Sequence, residues 1–117
     1  MPLEYLVMFQ YHEPESRRLF EQGVIEDYES TTGVFITANS AEEALIWCNA
    51  IAQEVLWHCN DDRSLDWKQS GYSCWIESDL ETSSWGHCLG FFQHVLVGEM
   101  PNVDAMGTDA YVSWQKR

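Results

Sequence analysis

Basic residues are scarce in this chain: six Lys and Arg stand against 19 Asp and Glu, giving a formal net charge of −13. Too few cations remain to build the Lys/Arg surface that binding a phosphate backbone requires. Anionic membrane surfaces are disfavoured for the same reason. No apolar run approaches the roughly 18 residues of a membrane span. The N-terminus, MPLEYLVMFQYHE, has an early Glu and no basic region, so no export signal is expected. The four Cys are then expected as reduced thiols in a cytoplasmic protein, since an even count alone does not establish a disulfide framework. There is no phosphate-binding loop, no dinucleotide fingerprint and no G-x-S-x-G turn, and no repeat or linker divides the chain. Its 117 residues suit a single domain spanning 1–117.

Aromatics, by contrast, are plentiful at 14% of residues, with six Trp. They imply an aromatic-rich core or interface. The acidity serves solubility first, and it also favours a basic partner.

The clearest structural signal is Ser40–Asn60, SAEEALIWCNAIAQEVLWHCN. Ser40 followed by Glu43 fits a capping box, Glu42 and Glu43 suit the positive end of the helix dipole, and Asn60 is the expected left-handed stop. At about 100° per residue, Ala41, Ala44, Leu45, Cys48, Ile51, Ala52, Val55 and Cys59 share a core face. Ile46, Ala50 and Trp57 form a second, narrower apolar stripe among Glu42, Glu43, Gln53 and Glu54, with Trp47 on its shoulder. A helix apolar on two sides has two neighbours. Either the C-terminal third covers this stripe or another protein does.

Around this helix, Leu3–Tyr11 reads as an interior strand, because both of its alternating faces are mostly apolar. Pro14 fits the first turn of a short helix over 14–22, with Gly23 as its stop. Arg17 and Arg18 there answer local Glu13, Glu15 or Glu21. Val24–Tyr28 and Val34–Ala38 flank Glu29-Ser30-Thr31-Thr32-Gly33, which has turn chemistry, so a hairpin is expected. Asp61–Ser70 is a solvated loop, because it lacks the Gly and Glu that a calcium-binding loop needs. Tyr72–Glu77 is a strand. Glu77, Asp79 and Glu81 alternate in the following loop, forming an acidic edge that deters aggregation or a carboxylate site for metal or acid–base work. The alternation through His87–Met100 predicts a central strand ended by Pro101. Thr108 can cap a short helix over 108–116, whose Tyr111, Val112 and Trp114 would cover the apolar stripe.

Two His-Cys pairs, His58-Cys59 and His87-Cys88, together with His94, are the candidate chemistry. His and Cys are zinc ligands, yet adjacent residues point apart and the spacing matches no common zinc pattern. A Cys88 nucleophile with His94 or His58 as base is the catalytic alternative. Core packing accounts more simply for all four thiols. The expected fold is therefore α+β: a mainly antiparallel sheet of four or five strands carrying the long helix (about 40–59) on one face, compatible with a ferredoxin-like arrangement plus an extra strand. That likeness transfers no function. The expected role is a non-enzymatic protein-interaction module of the inhibitor or immunity type, or a self-associating one. Its surface would be Ile46, Trp47, Ala50 and Trp57, with no cofactor. The alternative is a small enzyme or zinc protein built on His58, Cys59, His87, Cys88 and His94.

Overall fold

In the computed structural model, which describes residues 2–12, 21–23 and 29–116, Leu3–His12 forms an interior strand, β1. Strand β2, Glu29–Ala38, runs antiparallel to it along its whole length, from Leu3 opposite Ala38 to His12 opposite Glu29. Strand β3, Cys74–Glu77, pairs antiparallel with the other edge of β1, and β4, Gln93–Leu96, pairs parallel with β2. The order is β3-β1-β2-β4. Neighbouring strands all alternate in direction in a ferredoxin-like sheet; here the parallel β2–β4 edge makes the sheet mixed.

Period-two alternation divides the β1 and β2 side chains between two cores. Val7, Phe9, Tyr11, Val34 and Ile36 face the long helix, while Leu6, Met8 and Phe35 face the opposite layer. The segment Glu29–Gly33 is not the expected turn but the first half of β2. Pairing with residues 8–12 of β1 overrides its local turn chemistry, and β-branched Thr31 and Thr32 suit a strand. Gly33 serves close approach rather than a turn: a Cβ there would run into the Met8 sulfur and lie 3.1 Å from the Val7 carbonyl oxygen. The partner strand expected at Val24–Tyr28 lies outside the described residues. So does most of the helix expected over 14–22, with Arg17 and Arg18. Glu21 is helical, and Gly23 takes the left-handed φ of 76° that suits a helix stop.

Helix α1, Ala41–Asn60, begins at its expected cap, where the Ser40 hydroxyl accepts the Glu43 amide at 3.1 Å. Its left-handed stop is Asp61 (φ 48°, ψ 43°), one residue later than expected. Asn60 remains helical and uses its side-chain amide to tie α1 to β1, donating 2.8 Å bonds to the Leu56 and His12 carbonyls. Ala44, Cys48, Ile51, Ala52, Val55 and Leu56 are buried against the sheet. Each large side chain among them, such as Ile51 or Leu56, contributes about 1.5–3 kcal/mol.

The other face of the sheet is covered by the C-terminal part of the chain. Gly86–Phe91 is a 3-10 segment, not the start of a central strand, and β4 begins only at Gln93, on an edge. With both alternating sides apolar and glycine at 86 and 90, this run lacks the polar contrast that would separate strand from short helix. Helix α2, Thr108–Gln115, is capped by Gly107, so Thr108 is its first helical residue. Tyr111 and Trp114 do not cover α1. They pack with Trp85, Phe91 and Trp75 over buried Leu6, Met8, Cys88 and Phe92, while Val112 stays exposed. Among the described residues no helix is long and apolar enough to cross a membrane.

Candidate functional site

The sheet uses α1 on one face and the aromatic layer on the other, which leaves the first turns of α1 without a cover. β2 ends at Ala38, and Ser40 turns the chain straight into α1. Beside it, β4 leads into a tight turn: Glu99 N–H donates to the Leu96 carbonyl at 2.9 Å, and Gly98 takes a φ of 91° that disfavours other residues. The Glu99 carboxylate accepts the Leu96 amide at 3.2 Å, and Val97 N–H donates to the Thr37 carbonyl at 3.3 Å. The Trp47 indole N–H reaches the Glu99 carbonyl at 3.0 Å, pinning this turn to α1.

The result is a groove of about 310 Å³ lined by Ser40, Glu42, Glu43, Ile46, Trp47 and Val97. Ile46 is 63% exposed and Leu96 58%, values usual for charged side chains rather than for large aliphatic ones. Val97 and Met100 are exposed as well. The groove's apolar residues, Ile46, Trp47 and Val97, are thus bordered by the carboxylates of Glu42 and Glu43.

Ile46 and Trp47 therefore belong to an open surface, but Trp57 does not. The Asp61–Ser70 segment folds back over it instead of lying free in solvent. The Trp57 indole donates to the Leu65 carbonyl at 2.7 Å, Gln53 donates to the same oxygen at 3.0 Å, and the Arg63 guanidinium sits 5.0 Å from the Trp57 ring centre. Trp67 is buried and donates its indole N–H to the Gln10 carbonyl at 2.7 Å. Ala50 is half-buried between the two ends. In the same segment Asp62 accepts from Ser64 at 2.6 and 2.9 Å, which lowers its carboxyl pKa, and Asp66 accepts the Lys68 and Gln69 amides. These carboxylates close turns.

The His-Cys residues do not converge. Among the described residues no three His, Cys, Asp or Glu side chains are placed to hold a metal ion. His58 is exposed at the end of α1 and pairs with Asp104. Cys59 is half-buried beside the helix-side core. His94 lies across the sheet, stacked on Phe35 at 4.6 Å, with Nδ1 2.7 Å from the Glu4 carboxylate. His87 Nε2 lies 3.2 Å from the Tyr111 hydroxyl. Cys88 is buried and donates to the Trp85 carbonyl at 3.3 Å; burial raises its pKa, with a Tyr111 hydrogen bond acting the other way. That direction opposes nucleophile activation. Cys88, Trp85, Phe92, Tyr111 and Thr32 line a cavity of about 100 Å³, and the Thr32 hydroxyl there is buried without a hydrogen-bond partner among the described residues. The alternating carboxylates also fail to gather: Glu77 holds the Trp75 indole and the Ser83 hydroxyl, and Asp79 accepts the Glu81 and Thr82 amides.

Two juxtapositions had no signal in the spacing of the chain. His12 and Tyr72, both buried, are joined by a bond between His12 Nδ1 and the Tyr72 hydroxyl. Cys48 on α1 and Cys74 at the start of β3 are hydrogen-bonded thiol to thiol. That bond pulls the Cys74 pKa from 9.0 to about 7 against the opposing effect of burial. The same bond, then burial, pushes Cys48 well above the ordinary thiol range. Compared with family models, with curated proteins and with solved structures, the chain matches none.

Proposed function

We propose that the chain is a protein-binding module that works through the groove between the start of α1 and the turn 96–99. The observation that carries this reading is the exposure of Ile46, a large aliphatic side chain, in a groove with Trp47 and Val97 that Glu42 and Glu43 border. Large apolar side chains grouped inside a polar rim are the usual anatomy of a binding patch. The net charge of −13 defines the partner's chemistry: an apolar anchor flanked by Lys or Arg. Self-association would bring two such acidic rims together, so a basic partner fits better than a second copy. Four free thiols suit a reducing compartment such as the cytoplasm.

The test compares wild type with Ile46→Glu as baits for affinity capture at low and high salt. Expected is a basic partner held by wild type, weakened by salt and lost with Ile46→Glu, while Val112→Glu on the other face retains it. Equal retention by Ile46→Glu would overturn the reading. The Cys88 cavity favours a second reading, a site for a small apolar molecule with one hydrogen-bonding group aimed at Thr32. Shifts of Tyr111 and Phe92 resonances on titration with phenol-sized probes would support it, and unchanged spectra would dismiss it.

A further inference from the structure

We propose that Cys48 and Cys74 form a reversible disulfide that ties α1 to the edge strand β3. Two contacts bring Cys48 and Cys74 to the same place in the fold, and the acidity of the two thiols is coupled there. Cys48 is a fully buried core residue on α1, and Cys74 packs against that same core. Each thiol is the largest influence on the other's acidity. The Cys74 sulfur also lies 3.6 Å from the side-chain oxygen of Asn49, the residue next to Cys48, so β3 meets α1 at this turn of the helix. Cys48 and Cys74 are both free thiols in the structure.

Their environments assign different roles. Cys74 is half-buried at the sheet edge, so an oxidant reaches it, and its lowered pKa supplies thiolate near neutrality. Cys48 is closed to solvent and acts second. With a hydroperoxide as oxidant, the Cys74 thiolate attacks the terminal oxygen. The S–O bond forms, the O–O bond breaks, and the departing oxide takes a proton to leave as water or alcohol. Cys48 then attacks the Cys74 sulfur as its proton leaves. The S–S bond forms, the S–O bond breaks, and hydroxide departs with that proton as water. Two electrons have passed from the thiol pair to the peroxide, and a dithiol reductant returns them. The other two cysteines lack this arrangement: Cys88 lies in the core on the opposite face of the sheet, and Cys59 sits three turns further along α1.

The experiment treats the folded, full-length chain with hydrogen peroxide, blocks remaining thiols and maps the digested protein by mass spectrometry. Expected is a Cys48–Cys74 linked peptide pair, two hydrogens lighter than its reduced parts and released by dithiothreitol. The link closes a long loop, so the melting temperature should rise by on the order of 10 °C. Cys48→Ala and Cys74→Ser should each abolish both the linked pair and the rise. Mapping the wild-type protein decides the matter even if a variant folds poorly. Four thiols still free after treatment, a different pairing, or Cys74 carried to the sulfinic acid with Cys48 untouched would each overturn the proposal.

Discussion

Gly33→Ala probes the β1–β2 register at the place where local chemistry and tertiary pairing disagree. Gly33 lies in β2 opposite Met8, which is fully buried. An added methyl would collide with the Met8 sulfur, with Met8 Cε and the Val7 carbonyl oxygen each at 3.1 Å. Overpacking of this kind costs about 1–3 kcal/mol. Removing glycine from the unfolded chain returns about 0.4–1 kcal/mol. The net expectation is a loss of about 1–2 kcal/mol, read as a fall of roughly 4–8 °C in melting temperature. Met8→Ala alone should cost about 2–5 kcal/mol through its cavity. In that background the obstructing side chain is gone, so Gly33→Ala should become neutral or slightly stabilising. A double-mutant cycle by urea denaturation should therefore give a favourable coupling of about 1–2 kcal/mol. If Gly33 served a turn away from Met8, the two substitutions would simply add. Additivity within about 0.5 kcal/mol would refute the register.

Three further outcomes follow from particular contacts. Trp67→Phe removes the bond to the Gln10 carbonyl and should cost about 1–3 kcal/mol in urea denaturation; an unchanged midpoint would mean that Trp67 does not tie the 61–70 segment to β1. Alkylation of Cys74 in the folded, reduced protein should rise with pH as its proton leaves, with a midpoint near 7 and a plateau above about pH 8; a rate still climbing at pH 9 would contradict the Cys48 hydrogen bond. Ile46→Glu should leave the unfolding midpoint within about 0.5 kcal/mol of wild type, because the side chain is already in solvent; a larger loss would place Ile46 in the core.

Much of this architecture is legible in the chain because it is local. The Ser40 cap, most of the α1 core face and the apolar β1 strand each follow from a few consecutive residues and form, although Ala41, expected on the core face, is exposed and Leu56 is buried in addition. The failures share a cause: a distant segment decided the outcome. Glu29–Gly33 has turn chemistry, yet pairing with β1 makes it strand. Trp57 belongs to an apolar stripe, yet residues 63–65 close over it, and Ile46 alone of the stripe stays largely in solvent. The alternation through His87–Phe91 came from a stretch apolar all round, which packs as a 3-10 cover on the sheet. The His-Cys pairs look like ligands in one dimension, but the sheet separates His58 and Cys59 from Cys88. The contact between Cys48 and Cys74 depends on β3 adding beside β1, which no spacing in the chain reveals.

The start of α1 is open surface, while both faces of the sheet are covered by the chain itself. Hydroxyl-radical footprinting of the protein, held as a monomer, tests this most directly. Ile46 and Met100 should label heavily, whereas Ile51, Met8 and Met106 should be protected. Protection of Ile46 and Met100, or labelling of Met8 and Met106 to the same extent, would contradict it.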